Sequence, residues 1–176
     1  MRRNSTHLAL NTSQRGFSML EILITLVIIA TALLGTAGLQ IYAMRMGQSS
    51  QFRTQAVFLA SDLAERMEAN KAAAVAGNYA LALTSVSSVA ATNCAMAACD
   101  STNLASWDIS QWGIAIANLL PQASWKITLT PDADCPVAAA GNPSTYCIFI
   151  RWTDRSSVKT GSGETFSYTA TRTVSN

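Results

Sequence analysis

One uncharged apolar segment constrains this chain more than any other feature. Residues 17–44 contain a single charged side chain, Glu21, near the start of the segment. About 20 apolar residues in an α-helix span a lipid bilayer, so this segment is long enough to cross a membrane. A carboxylate in such a helix costs about 2.5 to 3.5 kcal/mol near the bilayer centre, and less toward an interface. Glu21 therefore needs a partner that a plain membrane anchor does not require.

The charges before this segment predict its orientation. Arg2, Arg3 and Arg15 all precede it, and basic residues stay on the cytoplasmic side of a membrane. We therefore expect a cytoplasmic N-terminus, with everything after residue 44 on the exported side. Without these three arginines the formal charge falls from +2 to −1. The basicity belongs to the first 16 residues, and it predicts no nucleic-acid partner.

The segment that opens the helix is the most specific motif in the sequence. Residues 15–21 have the sequence R-G-F-S-M-L-E. This motif resembles the N-terminus of type IV prepilins and of type II secretion pseudopilins. The resemblance implies that a prepilin peptidase cleaves between Gly16 and Phe17, and that Phe17 is then N-methylated. It also implies that Glu21 meets the N-terminal ammonium of a neighbouring subunit and sets the subunit register, because either charge alone is costly away from water.

Two other interpretations of the apolar segment are weaker. An ordinary anchor helix could hold Glu21 near the lipid headgroups, but the adjacent Gly16-Phe17 junction argues against it. A conventional secretory signal could be processed at the small residues 35–37. The apolar segment is too long for such a signal, however, and it contains a carboxylate.

The exported part of the chain lacks residues that many enzymes need. The one histidine, His7, lies in the first 16 residues, so the mature chain has no His acid–base group and lacks the commonest ligand of catalytic zinc. Two acidic pairs, Asp132 with Asp134 and Asp100 with Asp108, have no supporting motif, and we interpret them as solvated loop residues. We expect no enzymatic activity, no cofactor and no metal site.

Four cysteines, Cys94, Cys99, Cys135 and Cys147, lie on the side of the membrane where thiols are normally oxidised. Two disulfides are expected, and three pairings are possible. The spacing favours Cys94 with Cys99 and Cys135 with Cys147, each of which closes a short loop. It does not resemble the C-x2-C pairs of structural zinc sites.

The helical pattern continues beyond the apolar segment. Apolar residues recur at intervals of three or four on one helix face, at Phe52, Ala56, Leu59, Leu63 and Met67. We therefore predict one helix after a leader peptide of residues 1–16. Residues 17–44 form its membrane or filament-core half, and residues 45–71 form an amphipathic half. A globular head of residues 72–176 would cover the amphipathic half.

The end of this helix carries a second, longer motif. Residues 59–70 have the sequence L-A-S-D-L-A-E-R-M-E-A-N. They resemble the recurrent run L-A-x-D-L-A-E-R-M-x-A-N of PilV, a family of minor pilins also called type IV pilus modification proteins. Asp62 and Arg66 are four residues apart, which predicts an ordinary surface pair worth a few tenths of a kcal/mol. Glu68 stands where we expect a basic residue, which leaves its charge partner open.

The remaining sequence predicts an α+β head like that of type IV pilins. An Ala- and Ser-rich linker follows Asn70 as far as Met96, and a short helix is expected over residues 104–119, ended by Pro121. Residues 154–164 are typical of a hairpin loop. Strands are predicted at residues 124–130, 146–153 and 165–174, which are rich in Ile, Thr, Trp and Tyr. The expected fold is a long N-terminal α-helix packed on a C-terminal antiparallel β-sheet.

The resemblance to PilV implies a structural subunit of low abundance, held first in the inner membrane and then in the pilus at the cell surface. Its implied partners are other minor pilins, the major pilin, the inner-membrane assembly platform and a tip adhesin, in a tip complex that primes assembly and supports attachment. A minor pseudopilin of a type II secretion system is the alternative. A second alternative is a membrane-anchored periplasmic protein that binds a ligand through Trp107 and Trp112, although such tryptophans are more often core residues.

We predict that Gly16→Val leaves an uncut precursor, because a side chain at this position obstructs entry of the peptide into the cleavage site. Mass spectrometry of the wild-type exported protein should find N-methylated Phe17 at its N-terminus. An N-terminus after Ala37 would instead indicate a conventional signal peptide.

Overall fold

The computed structural model describes residues 16–86, 92–154 and 163–175. A long helix is followed by a mixed head with an antiparallel sheet, which confirms the predicted α+β class. The elements in chain order are α1 (Met19–Ala69), α2 (Lys71–Val75), β1 (Leu81–Thr84), α3 (Ser101–Leu119), β2 (Ser124–Thr128), β3 (Ser144–Asp154) and β4 (Glu164–Val174).

Helix α1 runs without interruption for 51 residues, two residues inside the predicted bounds at each end. Its sequence contains no proline, and the glycines at positions 35, 38 and 47 do not end it. Its buried side chains all lie toward the C-terminal end, at Ala56, Leu59, Ala60, Leu63 and Met67. The burial follows the sequence, because only this part of the helix has polar residues opposite an apolar face.

The chain divides into two compact units between Tyr42 and Ala43. In the first unit, every described side chain is exposed. In the second unit, the rest of α1 contributes to one hydrophobic core together with α3 and the sheet. The largest side chains that are fully buried in this core include Trp112, Trp125 and Trp152.

The four strands form one antiparallel sheet in the order β1-β2-β3-β4. β3 and β4 pair without a break from Ser144 opposite Val174 to Asp154 opposite Glu164. Successive side chains of a strand face opposite sides of the sheet. In β3, one side therefore supplies the main core with Tyr146, Ile148, Ile150 and Trp152, and the other supplies a small cluster in which Cys147 and Phe149 pack with Cys135 and Ala138.

Helix α3 begins three residues before its predicted start. Asp100 caps it, because an Asp100 carboxylate oxygen accepts a hydrogen bond from the Asn103 backbone N–H at 2.8 Å. The helix ends at Leu119, shortly before Pro121, as the sequence predicted. Its apolar face, made by Ala105, Ile109, Trp112 and Ile116, is buried in the core.

The segment predicted to be an irregular linker contains two regular elements, α2 and β1. Short Ala-rich segments have weak local patterns, so their structure is decided by contacts with the head. The Tyr146 hydroxyl donates a hydrogen bond to the Ala74 carbonyl at 2.6 Å, and Tyr79 is completely buried. Residues 87–91 of this linker and residues 155–162 of the predicted hairpin loop lie outside the described residues.

Both disulfides that the cysteine spacing favoured are present, Cys94–Cys99 and Cys135–Cys147. The second bridge attaches the segment after β2 to the outer face of β3, and both of its cysteines are completely buried. The cysteines of the first bridge are partly exposed. The two bridges therefore support the head unequally.

Removing the second bridge should cost more stability than removing the first. For sequence separations of 12 and 5 residues, the chain-entropy model gives about 3 and about 2 kcal/mol. The double variants Cys135→Ser/Cys147→Ser and Cys94→Ser/Cys99→Ser test this by denaturant unfolding of the full chain in detergent. The Cys135→Ser/Cys147→Ser variant should lose more stability, because the substitutions also disturb the packing around two buried side chains. Equal decreases in the free energy of unfolding of the two double variants would contradict this prediction.

Candidate functional site

The residues expected at the processing junction lie directly before α1. Phe17 is 79% exposed, and a Cβ added to Gly16 meets no described atom within 4 Å. Ser18 starts the helix, because its carbonyl accepts a hydrogen bond from the Glu21 N–H at 3.0 Å and its hydroxyl oxygen accepts one from the Leu20 N–H at 3.3 Å. The folded chain therefore sets no steric requirement for glycine at position 16.

Glu21 lies in the first turn of α1, where the positive end of the helix dipole favours a carboxylate. Its side chain is exposed, and within the described ranges no residue forms an ion pair with it. Its backbone carbonyl accepts a hydrogen bond from the Thr25 hydroxyl at 2.8 Å. The carboxylate is thus available to a group from outside the chain.

The apolar half of α1 surrounds this carboxylate with a large exposed surface. Among the described residues, α1 is the one helix that is long and apolar enough to cross a membrane. Leu20, Leu34 and Tyr42 are each more than 60% exposed, and the other large apolar side chains up to Met46 are also exposed. Lipid or other subunits must cover such a surface, because contiguous apolar patches of this size are not stable in water.

The second motif joins α1 to α3 through Arg66. Its Nε donates to Asp62 Oδ2 at 3.0 Å on the same helix, and its Nη1 donates to Asp108 Oδ1 at 3.1 Å on α3. The prediction of an ordinary surface pair was therefore incomplete, because Asp108 is buried. Burial alone would lower the pKa of Arg66, but hydrogen bonds and attraction from the two carboxylates raise it. The guanidinium stays charged within the contact.

Tyr79 satisfies the other oxygen of Asp108. Its hydroxyl donates to Asp108 Oδ2 at 2.6 Å and accepts a hydrogen bond from the Asn70 side-chain amide at 3.3 Å. The same amide donates to the Ser101 carbonyl at 2.7 Å. Burial, followed by the hydrogen bond to Asp108, raises the pKa of Tyr79 well above its usual value. Both Asp108 oxygens thus have a donor, as buried polar groups require.

The tryptophans of α3 do not form the exposed ligand platform that was considered as an alternative. Trp112 is completely buried, and its indole N–H donates to the Leu59 carbonyl at 2.7 Å. Trp107 is partly buried. Because Trp112 has no free ring face, it cannot stack on a ligand from outside, and its role is to fix α3 against α1.

The interpretation of the acidic pairs as solvated loop residues was wrong for Asp108, which is buried on α3, whereas Asp100, Asp132 and Asp134 are exposed. Asp100 caps α3 and Asp108 binds Arg66, while Asp132 and Asp134 both accept hydrogen bonds from Lys126 Nζ, at 2.8 and 2.7 Å. Burial alone would lower the pKa of Lys126, but the two carboxylates raise it, and the hydrogen bond from Lys126 lowers the pKa of Asp132. The described ranges contain no cluster of three or more His, Cys, Asp or Glu side chains that could hold a metal ion.

Glu68, whose partner the sequence left open, pairs with two basic residues. Its carboxylate lies 2.6 Å from Lys71 Nζ and 2.9 Å from an Arg172 guanidinium nitrogen. These hydrogen bonds, first from Lys71 and then from Arg172, lower the pKa of Glu68. Exposed pairs of this kind add little stability, but the contact with Arg172 places the end of α1 beside β4.

Two family models match adjoining parts of the chain. A prokaryotic N-terminal methylation motif matches residues 11–37, and the model described as type IV pilin Tt1218 matches residues 38–110. These ranges contain the motifs at residues 15–21 and 59–70. Comparisons with curated proteins and with solved structures found no match.

A membrane-length helix that begins with a methylation motif and continues into a head with an antiparallel sheet defines a pilin-type structural subunit. Residues 38–110 thus match a type IV pilin, and the type IV pilin family is structural rather than enzymatic. The methylation motif implies processing by a prepilin peptidase, anchoring in the inner membrane and assembly with other pilins into a pilus.

Sequence reasoning found the motif at residues 59–70 but not its contacts. Arg66 and Asp108 are 42 residues apart, and no local spacing relates two positions at that distance. One signal was available, because Asp108 lies between Trp107 and Ile109 on a helix that must bury one face. A charge at the edge of such a face is costly without a partner.

Asp108→Ala should lower the free energy of unfolding by about 2 to 4 kcal/mol, because it removes the 2.6 Å acceptor of the buried Tyr79 hydroxyl, which keeps only the Arg66 carbonyl at 3.3 Å, and leaves the Arg66 side chain with one partner fewer. Asp62→Ala is the matched control. Asp62 is the other acidic partner of Arg66, and its side chain is 47% exposed. Its removal should lower the free energy of unfolding by less than about 1 kcal/mol. The free energies of unfolding of the two variants are measured by denaturant unfolding of the full chain in detergent. Similar losses would show that the contact with α3 adds nothing beyond the surface pair.

Proposed function

We propose that this type IV pilin is a minor pilin of the PilV kind, a structural subunit of the tip complex that primes pilus assembly and supports adhesin display or surface attachment. The observation that carries the proposal is the run at residues 59–70, which resembles PilV and lies within the match to the pilin model. Its polar side chains bind α3 and β4, as expected for a segment that positions the head on α1.

In this proposal, cleavage after Gly16 exposes the amine of Phe17, which is then methylated. Glu21 pairs with the Phe17 ammonium of a neighbouring subunit inside a bundle of apolar helices. The exposure of the Glu21 carboxylate, and the exposed apolar surface around it, support this role. Such a pair specifies register, because any displacement along the bundle leaves two charges without partners.

The proposed organisation follows from the same residues. Residues 1–16 are the leader, residues 17–44 the membrane or filament-core half of the helix, residues 45–71 the amphipathic half, and residues 72–176 the head. Before assembly the N-terminus faces the cytoplasm and the head faces the periplasm, which agrees with the presence of disulfides in the head.

The proposed partners are other minor pilins, the major pilin, the inner-membrane assembly platform and a tip adhesin. The N-terminal motif is also found in pseudopilins, so the genes beside this one are informative. Minor pilin genes and a large adhesin gene support the pilus, whereas genes for a secretin and a secretion ATPase support a type II secretion system.

Glu21→Ala should be inserted and cleaved normally, because removing a charge makes membrane insertion easier. It should fail at incorporation, since the neighbouring ammonium is then left unpaired at a cost of about 3 to 5 kcal/mol, which lowers incorporation by about 100-fold or more. The measurement is the ratio of this subunit in sheared filaments to that in membranes.

Glu65→Ala is the control for this experiment. It removes an exposed carboxylate from the amphipathic part of the same helix, and it should be incorporated at the wild-type ratio. Recovery of Glu21→Ala in filaments at that ratio would refute the assembly role of Glu21, and it would return the N-terminal helix to a plain anchor.

A further inference from the structure

A trough at the membrane-proximal end of the amphipathic helix has no role in the contacts described above. It is lined by Met46, Ser49, Ser50, Arg53 and Phe166 and has a volume of about 340 Å³. We call it the Arg53 trough. A second depression of about 290 Å³ shares Arg53 and Phe166 with it and continues toward Val57, Trp152 and Tyr168.

Arg53 is held in the trough by an aromatic ring. Its guanidinium carbon lies 5.1 Å from the centre of the Phe166 ring, which stacks on Trp152 with a centroid separation of 6.1 Å. Within the described ranges, no carboxylate forms an ion pair with Arg53. A guanidinium on a ring face keeps its edge donors free, and the Arg53 side chain is exposed. The trough therefore presents a positioned cation to an anion from outside.

The position of the trough along α1 relates it to the bilayer surface. The apolar residues 22–44 span about 34 Å, close to the thickness of the hydrocarbon core, so Met44 falls near its edge. Ser49 and Ser50 lie about 8 to 9 Å further along the helix. The side chain of Arg53 leans back over this turn, because helical side chains point toward the N-terminus. The headgroup layer is about 5 to 7 Å deep, so the guanidinium lies at its outer edge, where a lipid phosphate is within reach of the side chain.

The charge of this segment favours an anionic surface. Between residues 45 and 61 the charged residues are Arg45 and Arg53, and the first acidic residue beyond them is Asp62. A guanidinium also matches phosphate geometry, because it can donate two parallel hydrogen bonds to two phosphate oxygens. Met46 adds an apolar wall that suits a lipid glycerol and acyl chain better than a free, fully hydrated phosphate ion.

We propose that the Arg53 trough binds the phosphate of an anionic phospholipid while the subunit is in the membrane, with Arg53 as the main donor. Binding keeps the start of β4, which carries Phe166, at the membrane surface until the subunit leaves for the filament. The inference rests on the proposed function, because it concerns the membrane stage of a pilin. It does not depend on the pairing of Glu21.

The test is native mass spectrometry of the full-length mature chain released from detergent, titrated with phosphatidylglycerol or phosphatidylcholine. The wild-type protein should retain phosphatidylglycerol more strongly than phosphatidylcholine. Arg53→Gln should weaken retention of phosphatidylglycerol by about ten-fold, the effect of losing a charge-assisted hydrogen-bonded pair. Arg53→Lys keeps the charge but loses the planar guanidinium, so its retention of phosphatidylglycerol should lie between those of the wild type and Arg53→Gln.

Arg45→Gln is the matched control, because it makes the same charge change on the same helix outside the trough. It should alter retention by less than about two-fold, and an unchanged thermal unfolding midpoint should show that each variant is folded. Equal losses in Arg45→Gln and Arg53→Gln would overturn the proposal, since they would indicate general attraction rather than a site. Inorganic phosphate that binds as tightly as the lipid would overturn it as well.

The filament assay separates this inference from the proposed function. Arg53→Gln should be cleaved and incorporated into sheared filaments at the wild-type ratio. Reduced incorporation with unchanged lipid retention would show that Arg53 contacts a neighbouring pilin instead, and it would overturn the lipid site while leaving the role of the subunit intact.

Discussion

The arrangement of the head depends on the two hydrogen bonds to one buried carboxylate, that of Asp108. Asp108 takes a hydrogen bond from Arg66 on α1 and another from Tyr79, which lies between α2 and β1. An unpaired buried carboxylate is strongly unfavourable, so the burial of α3 is most favourable when all three segments come together. With α3 in this position, the indole N–H of Trp112 donates a hydrogen bond to the Leu59 carbonyl, and the ring is buried in the core.

Elements with a repeating pattern could be predicted from the sequence, and elements without one could not. Helix α1 and the three long strands follow apolar periodicity, and α3 follows it between a cap and a proline. The α2 and β1 segments contain mainly Ala, Leu and Thr with no clear period, and their structure comes from contacts such as Tyr146 with Ala74. The resemblance of residues 15–21 to prepilins predicts roles for Gly16, Phe17 and Glu21, but the contacts of Asp108 were missed because its partners are distant in the chain.

In the apolar half of α1 the threonine hydroxyls bond to the helix itself, whereas the Glu21 carboxylate forms no ion pair with any residue that the structure describes. The hydroxyls of Thr25, Thr31 and Thr36 each donate to a carbonyl of the same helix at 2.8 to 2.9 Å. These side chains can enter lipid or a protein bundle at little cost. Within residues 16–86, 92–154 and 163–175 no side chain pairs with the Glu21 carboxylate, so the free energy of this charge depends on what surrounds the helix. In the proposed assembly, Glu21 is the residue whose free energy would differ most between a bilayer and a bundle of other subunits.

The spacing of the contacts between α1 and the rest of the head has a mechanical consequence. The indole of Trp112 attaches at Leu59, the carboxylate of Asp108 at Arg66 and the Ser101 carbonyl at Asn70, so the attachments are spread over about 16 Å of helix. A pull along the helix axis acts on all of them at once, in shear, instead of opening them one after another. The heads of a filament would therefore resist tension through all of these contacts together.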